Sequence, residues 1–126
     1  MAEHFQDVKE GKRLPAGLTG SIDKERGAVV IEQAAVKVPA GAKQAFELTA
    51  QSPYAWYSTS PGVTPVGKPE PIDPDKPAVH AKYGRAAWMY TFEVTAPKGS
   101  STLVFEYRRP QAGAKPSWIY RVTVEN

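Results

Sequence analysis

Apolar and polar residues alternate along most of the last hundred positions of the chain. Over residues 44–50, Phe46, Leu48 and Ala50 take one side and Glu47 and Thr49 the other, the period of a strand with one wet face. Residues 88–95 put Trp88, Tyr90, Phe92 and Val94 on one face, and residues 102–108 do the same with Leu103, Phe105 and Tyr107. After a loop over 109–116, Trp118, Tyr120, Val122 and Val124 point inward while Ile119, Arg121, Thr123 and Glu125 point outward. With Pro97-Lys98-Gly99 as the first connection, these three runs predict an antiparallel meander. Shorter β-rich pieces precede them at 28–32 and 36–38, and residues 54–58 form an aromatic strand whose Trp56 is expected to fill the space between two sheets. No segment carries a helical period. About seven strands with hairpin-length connections predict an all-β fold, an immunoglobulin-like antiparallel β-sandwich.

Two segments stand outside this pattern. Residues 1–27 mix charges with Gly11, Gly17, Gly20 and Gly27 and show no sustained apolar period, so they are expected to form an extension that is weakly structured or lies on the domain as a strap. Its first twenty residues are expected to add little to the core, with Phe5, Val8 and Leu14 as the side chains able to dock. The sandwich domain is therefore assigned to residues 28–126. Between Ser60 and Ala78, Pro61, Pro65, Pro69, Pro71, Pro74 and Pro77 remove backbone donors, which predicts a long extended connection.

Composition narrows the chemistry. With 126 residues, 41% of them apolar, the chain is the size of one domain with one core. It has no cysteine, which removes disulfides, thiolate nucleophiles and thiolate metal ligands together. No run approaches the roughly 20 apolar residues of a membrane helix, and the opening residues lack a signal-peptide pattern. A soluble chain is expected, either cytoplasmic or a mature periplasmic or secreted form. The net charge of +3 is unevenly distributed, since residues 79–126 hold seven Lys and Arg against three Asp and Glu.

The order of the runs from Gly27 onward resembles the chagasin family, immunoglobulin-like inhibitors of papain-like cysteine proteases. Phe46-Glu47-Leu48 leading through Ser52-Pro53 to Ala55-Trp56-Tyr57 carries the resemblance, together with Tyr83-Gly84, Phe92-Glu93-Val94-Thr95 and Tyr107-Arg108-Arg109-Pro110. The resemblance implies three loops at one end of the sandwich that enter a protease cleft: Ser52, Pro53 and Tyr54 as the central wedge, Gly84, Arg85, Ala86 and Ala87 on one flank, and Arg109, Pro110 and Gln111 on the other. The letters depart from the family pattern. The Thr-Thr-Gly of the first loop is missing, one glycine of three remains in the second, and the aromatic after Arg-Pro in the third is Gln111.

Other chemistries find little support. His4 and His80 are the two histidines, and neither has a companion at the spacing of a catalytic triad or a zinc site. Asp73 and Asp75 fall short of the oxygens that calcium takes, and there is no phosphate-binding glycine loop. Arg85, Arg108, Arg109 and Lys115 near Tyr83 and Trp88 could stack bases and neutralise phosphates, but three excess charges are few and the alternation assigns Trp88 to the core. The expectation is a non-enzyme without cofactor or metal, whose partner is a protein, with a papain-like cysteine protease as the specific proposal. The alternative is a non-inhibitory binding or assembly module with diverged loops.

Overall fold

The computed structural model describes residues 2–72, 87–96 and 98–126. A short helix, α1 (Ala2–Lys9), is followed by β1 (Leu18–Asp23), β2 (Ala28–Lys37), β3 (Lys43–Gln51), β4 (Ala55–Tyr57), β5 (Val63–Pro65), β6 (Glu70–Pro71), β7 (Ala87–Thr95), β8 (Ser100–Arg108) and β9 (Trp118–Glu125). Two sheets form a β-sandwich. The first runs β1-β2-β9-β8-β4, and in the second β7 lies between β3 and β5, with β6 also paired to it. All described pairs are antiparallel except β2 with β9, which run parallel from Val29 opposite Trp118 to Lys37 opposite Glu125.

The alternation read from the sequence locates the core. Leu48 and Ala50 of β3, Phe92 and Val94 of β7, Leu103, Phe105 and Tyr107 of β8, and Tyr120, Val122 and Val124 of β9 are all buried between the sheets. Trp56 joins them at 2% exposure, as expected, and its indole N–H donates to the Thr49 carbonyl at 2.8 Å, so its one polar atom is satisfied across the gap between sheets.

The expected meander is not formed. β8 and β9 pair, but β7 belongs to the opposite sheet, where all nine of its residues oppose β3 from Ala87 with Gln51 to Thr95 with Lys43. The link from β7 to β8 crosses between sheets. Alternation reports which face of a strand is apolar, and a strand in either sheet turns that face to the same core. One residue expected to face outward and one expected in the core change places as well. Ile119 is fully buried with Ala28 and Val30 in a second cluster on the far face of its sheet, against Val104. Trp88 is only half-buried, and its indole N–H donates to Ser52 Oγ at 2.8 Å.

The opening residues correct the expectation that they add little to the core. Phe5 is fully buried among the residues between the sheets, with Val8 one turn along packed beside it. The helix stops where Gly11 takes φ 75°, with Gly11 N–H donating to Val8 O at 3.1 Å and Lys12 N–H to Asp7 O at 2.8 Å, the two bonds of a Schellman ending. β1 then pairs with β2 over six residues, through a turn in which Asp23 Oδ1 accepts from the N–H groups of Glu25 and Arg26. At Gly20 the helix lies so close that a side chain would meet Val8.

A candidate binding pole held by an aromatic stack

β3 ends at the same pole at which β4 begins, β8 ends and β9 begins, because Gln51 opposes Ala87, Ala55 opposes Arg108, and Tyr107 opposes Trp118. The loop with Ser52, Pro53 and Tyr54 and the loop with Arg109, Pro110 and Gln111 therefore share one end, and β7 starts there. Gly84, Arg85 and Ala86 lie outside the described residues, as do His80, Asp73 and Asp75. Ala87 is buried as the first residue of β7, which leaves it no surface for a partner.

The first loop is a four-residue turn. Tyr54 N–H donates to Gln51 O at 2.9 Å, and the Ser52–Pro53 peptide bond is cis. Ser52 and Pro53 are exposed. Tyr54 is half-buried and does not project as a wedge, since its ring lies flat on Tyr107 at 5.0 Å between centroids and 10° between planes. On the other loop Arg109, Pro110 and Gln111 are exposed, and the Arg109 guanidinium carbon sits 5.3 Å from the centre of the Tyr54 ring, a cation–π contact. The rest of that loop turns through Ala114 N–H donating to Gln111 O at 3.1 Å and rejoins the sheet where Ser117 N–H donates to Tyr107 O at 2.9 Å.

Tyr54 is one layer of a longer column. Tyr107 stacks on Trp118 at 4.2 Å and 14°, and Trp118 stacks on Phe5 at 5.0 Å and 8°. From Arg109 through Tyr54, Tyr107 and Trp118 to Phe5, five side chains from two loops, two strands and the helix form one continuous pile across the pole. Tyr107 also ties the sheets together, since its hydroxyl accepts from Gln51 N–H at 3.0 Å. Burial pushes the Tyr107 hydroxyl pKa up, an effect that its hydrogen bonding to Gln51 partly offsets.

Sequence reasoning singled out the tips of these loops and missed their supports. Alternation marks Tyr107, Trp118 and Trp88 as inward members of their strands and gives no sign that they support the loops. The available signal was their place in the chain: Tyr107 directly precedes Arg108-Arg109-Pro110, Trp118 directly follows the same loop, and an aromatic at a strand end can pack sideways as well as inward.

No protein-family model and no curated protein sequence matches the chain. Among solved structures it is similar to the solution structure of amebosin, with 16% identity and a TM-score of 0.47 over 76% of this chain and 96% of that chain.

Proposed function

We propose that the chain is a non-catalytic protein-binding module that engages its partner through the pole carrying Ser52, Pro53, Arg109, Pro110 and Gln111. The observation that carries this reading is the clamping of Tyr54 between Tyr107 and Arg109, which joins two loops into one ridge. Loops already fixed in one arrangement lose little freedom on binding, so more of the contact energy appears as affinity. The sequence resemblance makes the cleft of a papain-like cysteine protease the partner class. A ridge that fills such a cleft without presenting a peptide in register inhibits with no chemistry of its own.

The test is titration of papain with the purified protein while hydrolysis of a peptide substrate is followed. Inhibition in the nanomolar range supports cleft occlusion, and Tyr54→Ala and Arg109→Ala should each weaken it. Full activity at micromolar concentrations of the chain refutes the protease as partner.

A second reading, a binding or assembly module without inhibitory action, is favoured by one observation. The first loop is only a four-residue turn whose tyrosine folds back on the sandwich. That shortens its reach into a deep cleft.

A further inference from the structure

The sandwich has two lateral seams where the edges of its sheets face each other. Along the seam between the β1–β2 side of one sheet and β3 of the other, α1 packs against all three strands and sends Phe5 inward. Along the opposite seam, bordered by β4 on one sheet and by β5 and β7 on the other, the described residues leave a cleft of about 320 Å³. That volume falls at the lower end of the range of small-molecule sites, about 300 to 1,000 Å³. None of the described loop residues of the pole lines it.

The walls of the cleft are aromatic and apolar. Trp56 and Phe92 form its floor from the core, and Tyr57, Tyr90, Pro65 and Val66 border it. Tyr90 is half-buried, and its hydroxyl pKa is raised by burial and then by Tyr57, which puts the two phenols near one another. Val66 is 49% exposed, one of the large apolar side chains left most open to water.

Among the described residues, one cation borders this apolar slot. The Arg108 guanidinium carbon lies 3.9 Å from the centre of the Tyr57 ring, which holds the group against the cleft wall. Its ionic contact with Glu106 is long, 3.9 Å from Nε to Oε1, and its hydrogen bond to the Arg109 carbonyl is 3.4 Å. A guanidinium carries five N–H donors, so it retains donors for an incoming acceptor. A planar carboxylate is the group that meets this fork with two parallel bonds.

We infer that this cleft is a binding site for a small aromatic carboxylate, with the ring between Tyr57, Tyr90 and Pro65 and the carboxylate on Arg108. The apolar walls supply affinity for the ring, and the arginine selects the anion over a neutral or cationic analogue. The site is separate from the proposed protein-binding ridge, and its test reads different residues from a protease titration.

The experiment is a ¹⁵N-resolved NMR titration of the full chain with three indole probes of one ring and different charge: indole-3-acetate, the neutral tryptophol and the cationic tryptamine. Indole-3-acetate should shift the amides of Tyr57, Val66, Tyr90 and Thr91, with a dissociation constant of about 1 mM or tighter for a ligand of this size. Arg108→Gln should weaken the acid about tenfold, the loss of one charge-assisted pair, while leaving tryptophol unchanged. Val66→Trp, at an exposed position where folding is preserved, should block all three probes by filling the mouth. The inference is overturned if those amides do not move at several millimolar indole-3-acetate, if tryptamine binds as well as the acid, or if Arg108→Gln leaves the acid's affinity intact.

Discussion

Replacing Phe5 with alanine tests the role of the N-terminal helix most directly. The side chain is fully buried, stacked on Trp118 at 5.0 Å and tilted against Trp56 at 5.9 Å. Truncating a buried phenylalanine costs about 3 to 5 kcal/mol, because the transfer energy is lost and the space left behind closes only in part. The upper half of that range is expected, since both neighbouring rings belong to strands paired within a sheet and have little freedom to collapse. A helix of eight residues is well below the length that holds by itself in water, so losing its buried side chain should release the whole of α1. At about 3 to 6 °C per kcal/mol for a chain of this size, the melting temperature should fall by roughly 12 to 30 °C. Urea denaturation followed by tryptophan fluorescence measures the stability change and reports the loss of the Trp118 stack. Deleting residues 1–11 should match Phe5→Ala within about 1 kcal/mol, whereas Glu10→Ala, on the exposed end, should stay within about 0.5 kcal/mol of the parent. A loss below about 1 kcal/mol for Phe5→Ala would show that the helix is an ornament on a complete core.

Trp56→Ala should cost about 3 to 5 kcal/mol by the same route, with the Thr49 carbonyl also losing its donor, and a cost near zero in urea denaturation would remove Trp56 from the core. Arg109→Ala should leave stability within about 1 kcal/mol, as an exposed loop position does, while weakening partner capture in a surface-binding assay; unchanged capture counts against the ridge. Tyr120 ionises at about 12 in the folded protein because burial disfavours its phenolate, against about 10 when unfolded. A raised folded value means that its contribution is fully present below pH 10 or so and drains away as pH rises toward 12. Absorbance at phenolate wavelengths should show a late-titrating component that Tyr120→Phe removes, and the same substitution should move alkaline unfolding to higher pH. A Tyr120 that titrates near pH 10 contradicts this.

The strands with one wet face were legible in the chain because period two is a strong signal over eight or nine residues. β3, β8 and β9 all follow from it, while the inward role of Trp56 follows from its place in a short aromatic run. What alternation cannot carry is the identity of the neighbouring strand, so it predicts β7 beside β8, whereas β7 pairs with β3. Nor does it say whether the second face is covered, and Ile119 is buried on a side that the pattern marks as wet. The helix was hidden by brevity, since its apolar signal is Phe5 and Val8 alone and its terminating Gly11 read as one more loop glycine. β1 is an edge strand with mostly exposed side chains, so it lacks the contrast that marks its neighbours. At the pole, the exposed tips could be named from a resemblance, but the column beneath them unites residues 5, 54, 107, 109 and 118, which no local pattern connects.

The parallel pairing of β2 with β9 has a consequence for the order of events during synthesis. β9 is the last strand of this sequence, yet it lies at the centre of the five-stranded sheet, between β2 and β8. Until residues 118–125 emerge, β1 and β2 have no partner linking them to β8 and β4, and the larger sheet exists as two separate edges. Val30 and Ile31 therefore wait without their β9 partners while some ninety residues are added, and Phe105 lacks its own until the same strand emerges. Long-range pairing of this kind slows folding and lengthens the interval of exposure to aggregation. Loss of residues 118–125 would accordingly divide the larger sheet down its middle.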